Sequence, residues 1–292
     1  MGQTIINGLL IGGVYALIAV GLSLIHGVMK IVNFAQGDFL AVGMYFSYLL
    51  YLLMPEGSLP YWLLIPVAVF MYIFGAIVYR TTISKVVGKG DSNYILLTLG
   101  LSYLIQNVLQ LIFGPNYLSV EVSNELKYGA ITFGDDLILM TPRLIAFGGA
   151  LIFVFLVSYF LSSTDIGRAM RSTSEDSTVA AMLGVNTRAV YTMAFGLGTV
   201  FAGIAGLLLT PMFLVSPQVG TTFSTIGLSA IVLGGLGNLR GAMVGGLIIG
   251  LVESLTTNYA SLDLAPVAIN SVLMLVLVLK PYGLFGRSAR KA

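Results

Sequence analysis

LSSTDIGRAMRSTSEDSTVAAMLGVNTR, residues 161–188, is a polar stretch that carries a helix pattern of its own in an otherwise apolar chain. Ser172 with Glu175, and Thr173 with Asp176, have the spacing of a capping box, in which side chains satisfy the free amides of a first helical turn. This spacing predicts a short helix of about three turns that begins here. A small helix held out from the rest of a chain is typical of a docking element.

The predicted helix has one apolar face and a defined end. Val179, Met182 and Leu183 recur at three- and four-residue spacing, and Gly184 can take the left-handed conformation that ends a helix. The stretch also contains three basic residues: Arg168, Arg171 and Arg188. Because basic residues near span ends stay on the cytoplasmic side, residues 163–188 are predicted to be a cytoplasmic segment. A surface helix that merely links two spans would give the same pattern.

The composition is that of an integral membrane protein. Of 292 residues, 57% are hydrophobic and 9% are charged, and the mean hydropathy is +0.96. Apolar runs of about 20 residues, the length that a helix needs to cross a bilayer, recur along the whole chain. We therefore expect an all-α fold, a polytopic membrane helical bundle of eight or nine spans, with residues 1–292 forming a single transmembrane domain. The net charge of only +2 gives no support to a nucleic-acid partner.

Small residues at four-residue spacing predict close contacts between helix backbones. The glycines expected at such contacts are Gly8, Gly12, Gly203, Gly241, Gly245, Gly246 and Gly250. Most of them lie in the late, glycine-rich stretch IGLSAIVLGGLGNLRGAMVGGLIIGLVESL. Its two apolar pieces, residues 223–236 and 242–256, are each short for a full crossing. They are predicted to be tilted spans or half-helices that meet at the GNLRG turn.

Four polar side chains fall within or beside the apolar runs. Asn33, Gln36 and Asp38 lie between the first two spans, where almost no room is left for a loop, and Glu253 lies inside a late apolar piece. An ionisable group at membrane depth is costly unless it faces protein or water, so these four residues are candidates for lining or supporting a translocation path. Gly37 would let the helix break locally, as in the discontinuous helices of transporters. A tight polar turn at the interface, and structural hydrogen bonding by Glu253, are the alternatives.

The other long polar segment, residues 114–141, is predicted to be an external loop. Its charged residues are mostly acidic: Glu121, Glu125, Lys127, Asp135 and Asp136. Alternation in YGAITFGDDLILM predicts a small hairpin there. If the loops with Arg80 and Arg168 and the C-terminal tail are inside, nine crossings with the N-terminus outside are self-consistent. Eight crossings, with one glycine-rich piece re-entrant and the N-terminus inside, are the alternative.

The sequence contains no catalytic constellation. The only histidine, His26, has no serine nucleophile beside it, and the absence of cysteine excludes zinc-thiolate sites. Gly88-Lys89-Gly90 is not a phosphate-binding loop, because the frame G-x-x-x-x-G-K-[ST] is absent. We therefore expect a protein that is not an enzyme, holds no metal or cofactor and cannot hydrolyse ATP itself. Few ionisable groups at depth also argue against a proton-coupled carrier.

Four stretches, taken together and in order, resemble the permease subunits of branched-chain amino acid ABC importers of the LivH type. They are NGLLIGGVYALIAVGLSLIHGV, VNFAQGDFLAVGMY, SEDSTVAAMLGVN and AIVLGGLGNLRGAMVGGLIIGLVESL. The similarity covers essentially the whole chain. One departure is Gln36, where this family often has histidine.

The resemblance implies an importer in the cytoplasmic (inner) membrane, built from two homologous permeases, two cytoplasmic ATPase subunits and an external solute-binding protein. It also implies that residues 174–184 are the helix that couples to the ATPase. The residues on the motif are Ser174, Glu175, Asp176, Ala180, Ala181, Leu183 and Gly184. ATP binding would close the ATPase dimer, and the helix would transmit that displacement to the spans as alternating access.

The solute is the least determined part of this interpretation. Branched-chain or related hydrophobic amino acids are the expected solutes, but related permeases handle urea or short amides, and nothing in the spans separates these classes. A stand-alone channel or an ion-coupled carrier is the competing function. It would work without ATPase subunits and would tolerate changes in the cytoplasmic helix.

Overall fold

The computed structural model describes residues 1–54, 63–120, 129–133 and 137–286, and it is a bundle of α-helices with one small hairpin. The helices are α1 (Gly2–Met29), α2 (Gln36–Leu52), α3 (Leu64–Thr81), α4 (Asp91–Phe113), α5 (Thr141–Ser163), α6 (Asp165–Glu175), α7 (Ser177–Met182), α8 (Thr187–Leu209), α9 (Val219–Gly234), α10 (Leu239–Tyr259) and α11 (Ala265–Leu279). Two 3₁₀ turns, Ile83–Lys85 and Leu262–Leu264, flank α3 and α11.

The predicted hairpin is confirmed. Strands β1 (Ala130–Phe133) and β2 (Leu137–Met140) pair in antiparallel register, with Ala130 opposite Met140. The charged residues predicted for this external segment, Glu121, Glu125, Lys127, Asp135 and Asp136, lie outside the described residues.

In the described part of the chain, seven helices are long and apolar enough to cross a membrane: α1, α3, α4, α5, α8, α10 and α11. The last of these reaches that length together with the 3₁₀ turn before it, as the 18 residues Leu262–Leu279, whereas α2 and α9 have 17 and 16 residues. Together they occupy the positions of the nine predicted apolar runs, so the expected multi-pass helical fold is confirmed. Of the two alternatives for residues 242–256, a tilted span or a half-helix, the half-helix is wrong. Asn238 caps α10 ahead of the apolar piece and the helix continues through polar residues to Tyr259, so α10 has 21 residues.

Helices α1 and α8 form the centre of the bundle. In each of them 89% of the most apolar 18-residue stretch is buried, against 11–33% of the corresponding stretch in the other five long helices. Large apolar side chains on those outer helices, such as Leu111, Phe155 and Val278, are correspondingly exposed. Such surfaces suit lipid or a partner subunit, because water is not the solvent at that depth.

Glycines allow α1 and α10 to pack with their backbones in contact. A Cβ atom on Gly8 would lie 2.9 Å from the Cα of Leu251, and one on Gly12 would lie 3.0 Å from the Cα of Leu247. Both distances are too short for any side chain. The other predicted glycines also lie at helix contacts: Gly246 and Gly250 face α1, Gly241 and Gly245 face α9, and Gly203 faces α2 and α3.

The chain breaks its helical course between α1 and α2. Lys30 adopts the left-handed conformation (φ 58°) and residues 31–35 are not helical. Helix α2 then begins deep in the bundle, because the Gln36 side chain reaches the carbonyl of Gly198 in the middle of α8. The predicted break is therefore present, but it lies before Gly37, which is itself helical. Gly37 instead allows a close approach to Gly220 at the start of α9.

Two ends of the bundle can be distinguished from contacts. At one end, Gln3 of α1 exchanges hydrogen bonds with the backbone of Ile138 in β2, and Asn258 of α10 donates to Thr4 (3.0 Å). Helix α5 starts at this end and runs to α6 and α7, which therefore lie at the other end. The hairpin and residues 163–188 are separated by the length of α5, as the sequence analysis expects of an external and a cytoplasmic segment.

Candidate functional site

The segment between α5 and α8 folds as two short helices, which corrects the predicted capping box. Thr164 caps α6 by accepting from the amide of Gly167 (3.1 Å). Because α6 begins this early, Ser172 and Thr173 lie in the helix interior, where both hydroxyls donate back to the carbonyl of Ala169. The prediction that Ser172 with Glu175 and Thr173 with Asp176 start the helix is therefore wrong.

Helix α7 is shorter than predicted, at 6 residues instead of about three turns, and is closed at both ends. Asp176 caps it by accepting from the amides of Thr178 (2.8 Å) and Val179 (3.0 Å). At its end Gly184 is left-handed (φ +89°), and its amide and that of Val185 bond back to the helix carbonyls at 3.0 Å. Two caps on so short a helix hold its conformation, because both sets of free backbone groups are satisfied.

The predicted apolar face of α7 is largely exposed. Val179 is 49% exposed, Met182 80% and Leu183 78%, while Ala180 is buried against the body. Of the other coupling candidates, Ser174 is half-buried, and Glu175, Asp176, Ala181 and Gly184 are exposed. An exposed apolar face on a rigid helix is the property of a surface that docks on another molecule.

Three of the four predicted path residues belong to a polar network at the start of α2, which consists of two separate sets of hydrogen bonds. Asn33 donates to Gln36 (3.3 Å), and Gln36 donates to the carbonyl of Gly198 (2.9 Å). Asp38 accepts from Gln106 of α4 (2.9 Å). Asn33, Gln36 and Asp38 are all 0% exposed, and none of them lines the cavities at the hairpin end of the bundle. In this structure these hydrogen bonds hold the start of α2 against α8 and α4.

Ser224 adds a third set of hydrogen bonds, which joins the beginnings of α2 and α9. Its hydroxyl accepts from the amide of Gly37 (2.9 Å) and donates to the carbonyl of Phe34 (3.0 Å). Each helix begins with amides that have no partner in the helix, and here the serine supplies one for α2. The two short helices are therefore anchored to each other where both begin.

The fourth predicted residue, Glu253, lies apart from this network in a cavity of about 680 Å³ at the hairpin end. Its carboxylate lies within hydrogen-bonding reach of the Tyr15 hydroxyl, and Arg143 is close enough to act on it electrostatically. Its Oε2 atom is buried and has no hydrogen-bond partner among the described residues. The cavity is also lined by apolar side chains, including Ile11, Met212 and Phe213.

A second cavity, of about 430 Å³, meets the first at Glu253 and Leu262. It lies between α9 and α11, with Ile226 and Ile269 on its apolar walls. Both volumes are within the usual range for small-molecule sites. The first cavity is lined mostly by polar side chains, and the second by polar and apolar residues in equal number. Together they form a recess that begins at the hairpin end and passes Glu253.

The sequence analysis missed several residues of these two sites. Gln106 is a polar residue in the middle of an apolar run, and that position is the signal that could have identified it. Arg143 follows Pro142 at a span end and is indistinguishable there from a basic residue that only orients the chain. Tyr15 and Ser224 carry no sequence signal, because tyrosine and serine are ordinary in membrane helices.

A helical membrane body with a cavity at one end and a small capped helix exposed at the other has the architecture of a multi-pass membrane permease. The chain belongs to the family of permease components of branched-chain amino acid transport systems, which matches residues 4–280. The family consists of transport components and not of enzymes in the usual sense.

Two named relatives share this description along almost their whole length, and a third along two thirds of its length. The high-affinity branched-chain amino acid transport system permease protein LivH of Escherichia coli K12 is 31% identical over 297 residues, which cover 98% of this chain and 95% of LivH. The permease protein BraD of Pseudomonas aeruginosa is 30% identical, with the same coverage of each chain. The LivM permease of E. coli K12 is 24% identical, over 93% of this chain and 67% of LivM. No solved structure matches the chain.

Proposed function

We propose that this protein is one permease subunit of an ABC importer that moves branched-chain or related hydrophobic amino acids by ATP-driven alternating access. Its partners are a second homologous permease, two cytoplasmic ATPase subunits and an external solute-binding protein. It lies in the inner membrane, with the hairpin end outside and α6, α7 and the C-terminus inside. The whole chain acts as a single transmembrane domain. LivH and LivM, both similar to this chain, support a pair of homologous permeases.

The observation that carries this proposal is the exposed apolar face of α7. Val179, Met182 and Leu183 are exposed on a helix whose two ends are capped, at the end of the bundle opposite the hairpin. A rigid helix transmits a displacement, whereas a flexible loop would absorb it. On this proposal Ser174, Glu175 and Asp176 form the N-terminal side of the ATPase contact.

The polar residues then divide into two roles. Glu253 lines the path from outside, because it faces both cavities. Asn33, Gln36 and Asp38 support the path by holding the start of α2 against α8 and α4. This division follows the cavity walls and the hydrogen bonds.

A glycine substitution tests the coupling role. Gly184→Val places a branched residue at φ +89°, which disrupts the end of α7, so ATP-driven leucine uptake by the complete importer in proteoliposomes should be lost. Gly114→Val is the matched control, because Gly114 has φ +80° and open space around it but lies at the hairpin end. It should retain uptake. Uptake that survives in Gly184→Val, or that needs no ATPase subunits, would favour a channel or carrier.

The same vesicles test the solute. Unlabelled isoleucine and valine should compete with labelled leucine, and urea or acetamide in the same excess should not. Uptake of labelled urea in place of leucine would assign the chain to the amide and urea permeases.

A further inference from the structure

Two opposite charges face the outer cavity without pairing with each other. Arg143, at the start of α5, and Glu253, in α10, both line the cavity of about 680 Å³. Among the described residues the sole ion pair joins Arg168 to Asp165, so Arg143 and Glu253 are not in salt-bridge contact. Each is half-buried, and the Oε2 atom of Glu253 has no hydrogen-bond partner.

Half-buried charges raise the free energy of a protein unless a group of opposite charge pairs with them. A carboxylate taken out of water needs a cation or several donors, and an isolated guanidinium likewise needs an acceptor. Tyr15 supplies Glu253 with a donor but not with a charge. A ligand that carries an ammonium group and a carboxylate would form an ion pair with both residues at once.

We propose that the recess around Glu253 binds the zwitterionic head of an α-amino acid, with Glu253 receiving the ammonium group and Arg143 the carboxylate. This proposal rests on the proposed function and assigns the substrate chemistry to named residues. The guanidinium can hold a carboxylate through two parallel hydrogen bonds. The Tyr15 hydroxyl positions the Glu253 carboxylate for the ammonium group.

The second cavity receives the aliphatic side chain. It adjoins Glu253, so a ligand whose ammonium group is held there has its side chain within reach of Ile226, Pro266 and Ile269. Burial of an aliphatic side chain there contributes favourably because apolar surface is removed from water. The two cavities thereby distinguish the head of the ligand from its tail.

Uncharged solutes fit the recess less well. Urea and short amides have no charge to offer either residue, so neither Arg143 nor Glu253 would gain a partner of opposite charge in the recess. A buried polar group left without its partner costs more than a satisfied one gains. The charge pair therefore favours amino acids over amides.

The test measures equilibrium binding to the assembled importer, this chain with its second permease and both ATPase subunits in nanodiscs. The solute-binding protein is omitted so that binding of tritiated leucine reports the permeases. Two competitors dissect the head group: isopentylamine lacks the carboxylate of leucine, and 4-methylpentanoate lacks its ammonium group. Wild-type protein should bind leucine at least about tenfold more tightly than either, since a charge-assisted hydrogen bond is lost with each group.

Each variant should lose the affinity that one charged group of leucine contributes. Glu253→Gln should weaken leucine binding about 10- to 100-fold and leave the affinity for 4-methylpentanoate unchanged. Arg143→Gln should weaken leucine binding to the same degree and leave the affinity for isopentylamine unchanged. Glu253→Asp keeps the charge and should fall between wild type and Glu253→Gln.

Controls separate recognition from folding. Asp263→Asn removes an exposed carboxylate next to the recess, and Arg80→Gln removes an exposed cation at the end of α3, and both should bind leucine as the wild type does. Recovery of all subunits in the nanodisc reports assembly of every variant.

Two results would overturn the assignment. One is unchanged leucine affinity in Glu253→Gln and Arg143→Gln; the other is an equal loss for leucine and both analogues, which indicates a structural role. If the wild-type importer transports leucine and the variants still prefer leucine to both analogues as the wild type does, this inference alone fails. If wild-type importer neither binds nor transports leucine, the proposed function fails with it.

Discussion

Asp38 and Glu253 are both carboxylates within apolar helices, but their surroundings differ. Asp38 is 0% exposed and accepts from Gln106 of α4, in a region where hydrogen bonds also join α2 to α8 and α9. Glu253 faces two cavities. Each carboxylate has one buried oxygen without a hydrogen-bond partner among the described residues, Oδ2 of Asp38 and Oε2 of Glu253. An ionisable residue at membrane depth is a functional candidate by default. The open space beside a carboxylate, and not an oxygen without a partner, therefore distinguishes a contact with substrate from a support.

The largest expected effect is on stability at Asp38. Asp38→Ala removes the hydrogen bond from Gln106 to a buried carboxylate and leaves Ser102 as the remaining acceptor, so the free energy of unfolding should fall by about 3 kcal/mol. Glu253→Ala, the matched change in the open recess, should cost less than about 1 kcal/mol, because solvent can reach the cavity. Detergent titration of the purified chains, followed by circular dichroism, measures both. Equal losses would remove the distinction between the two carboxylates.

The next effect concerns the backbone contact beside Asp38. Gly37→Ala directs a methyl group into the Gly220 carbonyl and the Ser224 amide, and it should cost about 2 kcal/mol through overpacking. Gly148→Ala is the control, because a Cβ there meets no atom within 4 Å, and it should be neutral or slightly stabilising. The same titration applies. Tolerance of Gly37→Ala would mean that α2 and α9 can separate without loss.

A smaller effect is expected at Ser224. Ser224→Ala removes its hydrogen bonds to Gly37 and Phe34, and should lower the free energy of unfolding by about 1 kcal/mol. Ser271→Ala removes an exposed hydroxyl that bonds only within α11, and should change it by less than about 0.5 kcal/mol. Thermal aggregation of the two variants side by side gives the comparison. Similar curves would show that the serine does not anchor the two helices.

The smallest expected stability change lies at the recess. Tyr15→Phe keeps the buried ring and removes only the hydroxyl near Glu253, so unfolding should change by less than about 1 kcal/mol. Leucine binding should nevertheless weaken, since the Glu253 carboxylate is no longer held in one orientation. A stability loss as large as that of Asp38→Ala, with leucine binding intact, would reverse the roles assigned to the two regions.

Most of the fold was predictable from the lengths of the apolar runs in the sequence. The nine apolar runs all appear as helices, because a chain that must satisfy its backbone polar groups in lipid has few alternatives to a helix. Boundaries were less accurate. Helix α10 runs from Leu239 to Tyr259 and so extends beyond the predicted piece, residues 242–256, because backbone hydrogen bonds continue through the residues that flank it. The predicted capping box failed because Thr164 offered an earlier start.

The candidate site was predictable only in part. Asn33, Gln36 and Asp38 are close in sequence, so their common surroundings follow from local spacing. The recess is different, because Tyr15, Arg143 and Glu253 come from α1, α5 and α10. No local pattern relates residues so far apart in the chain.

The sequence by itself determined that the chain is a helical membrane protein of the permease family, with packing glycines and a short helix between α5 and α8. These properties depend on composition and on spacing within one helix, and both are written in consecutive residues. Tertiary structure alone decided which carboxylate is enclosed by packed helices and which one faces open space. Enclosure depends on what neighbouring helices place around a side chain, and that is determined only when the helices have packed together.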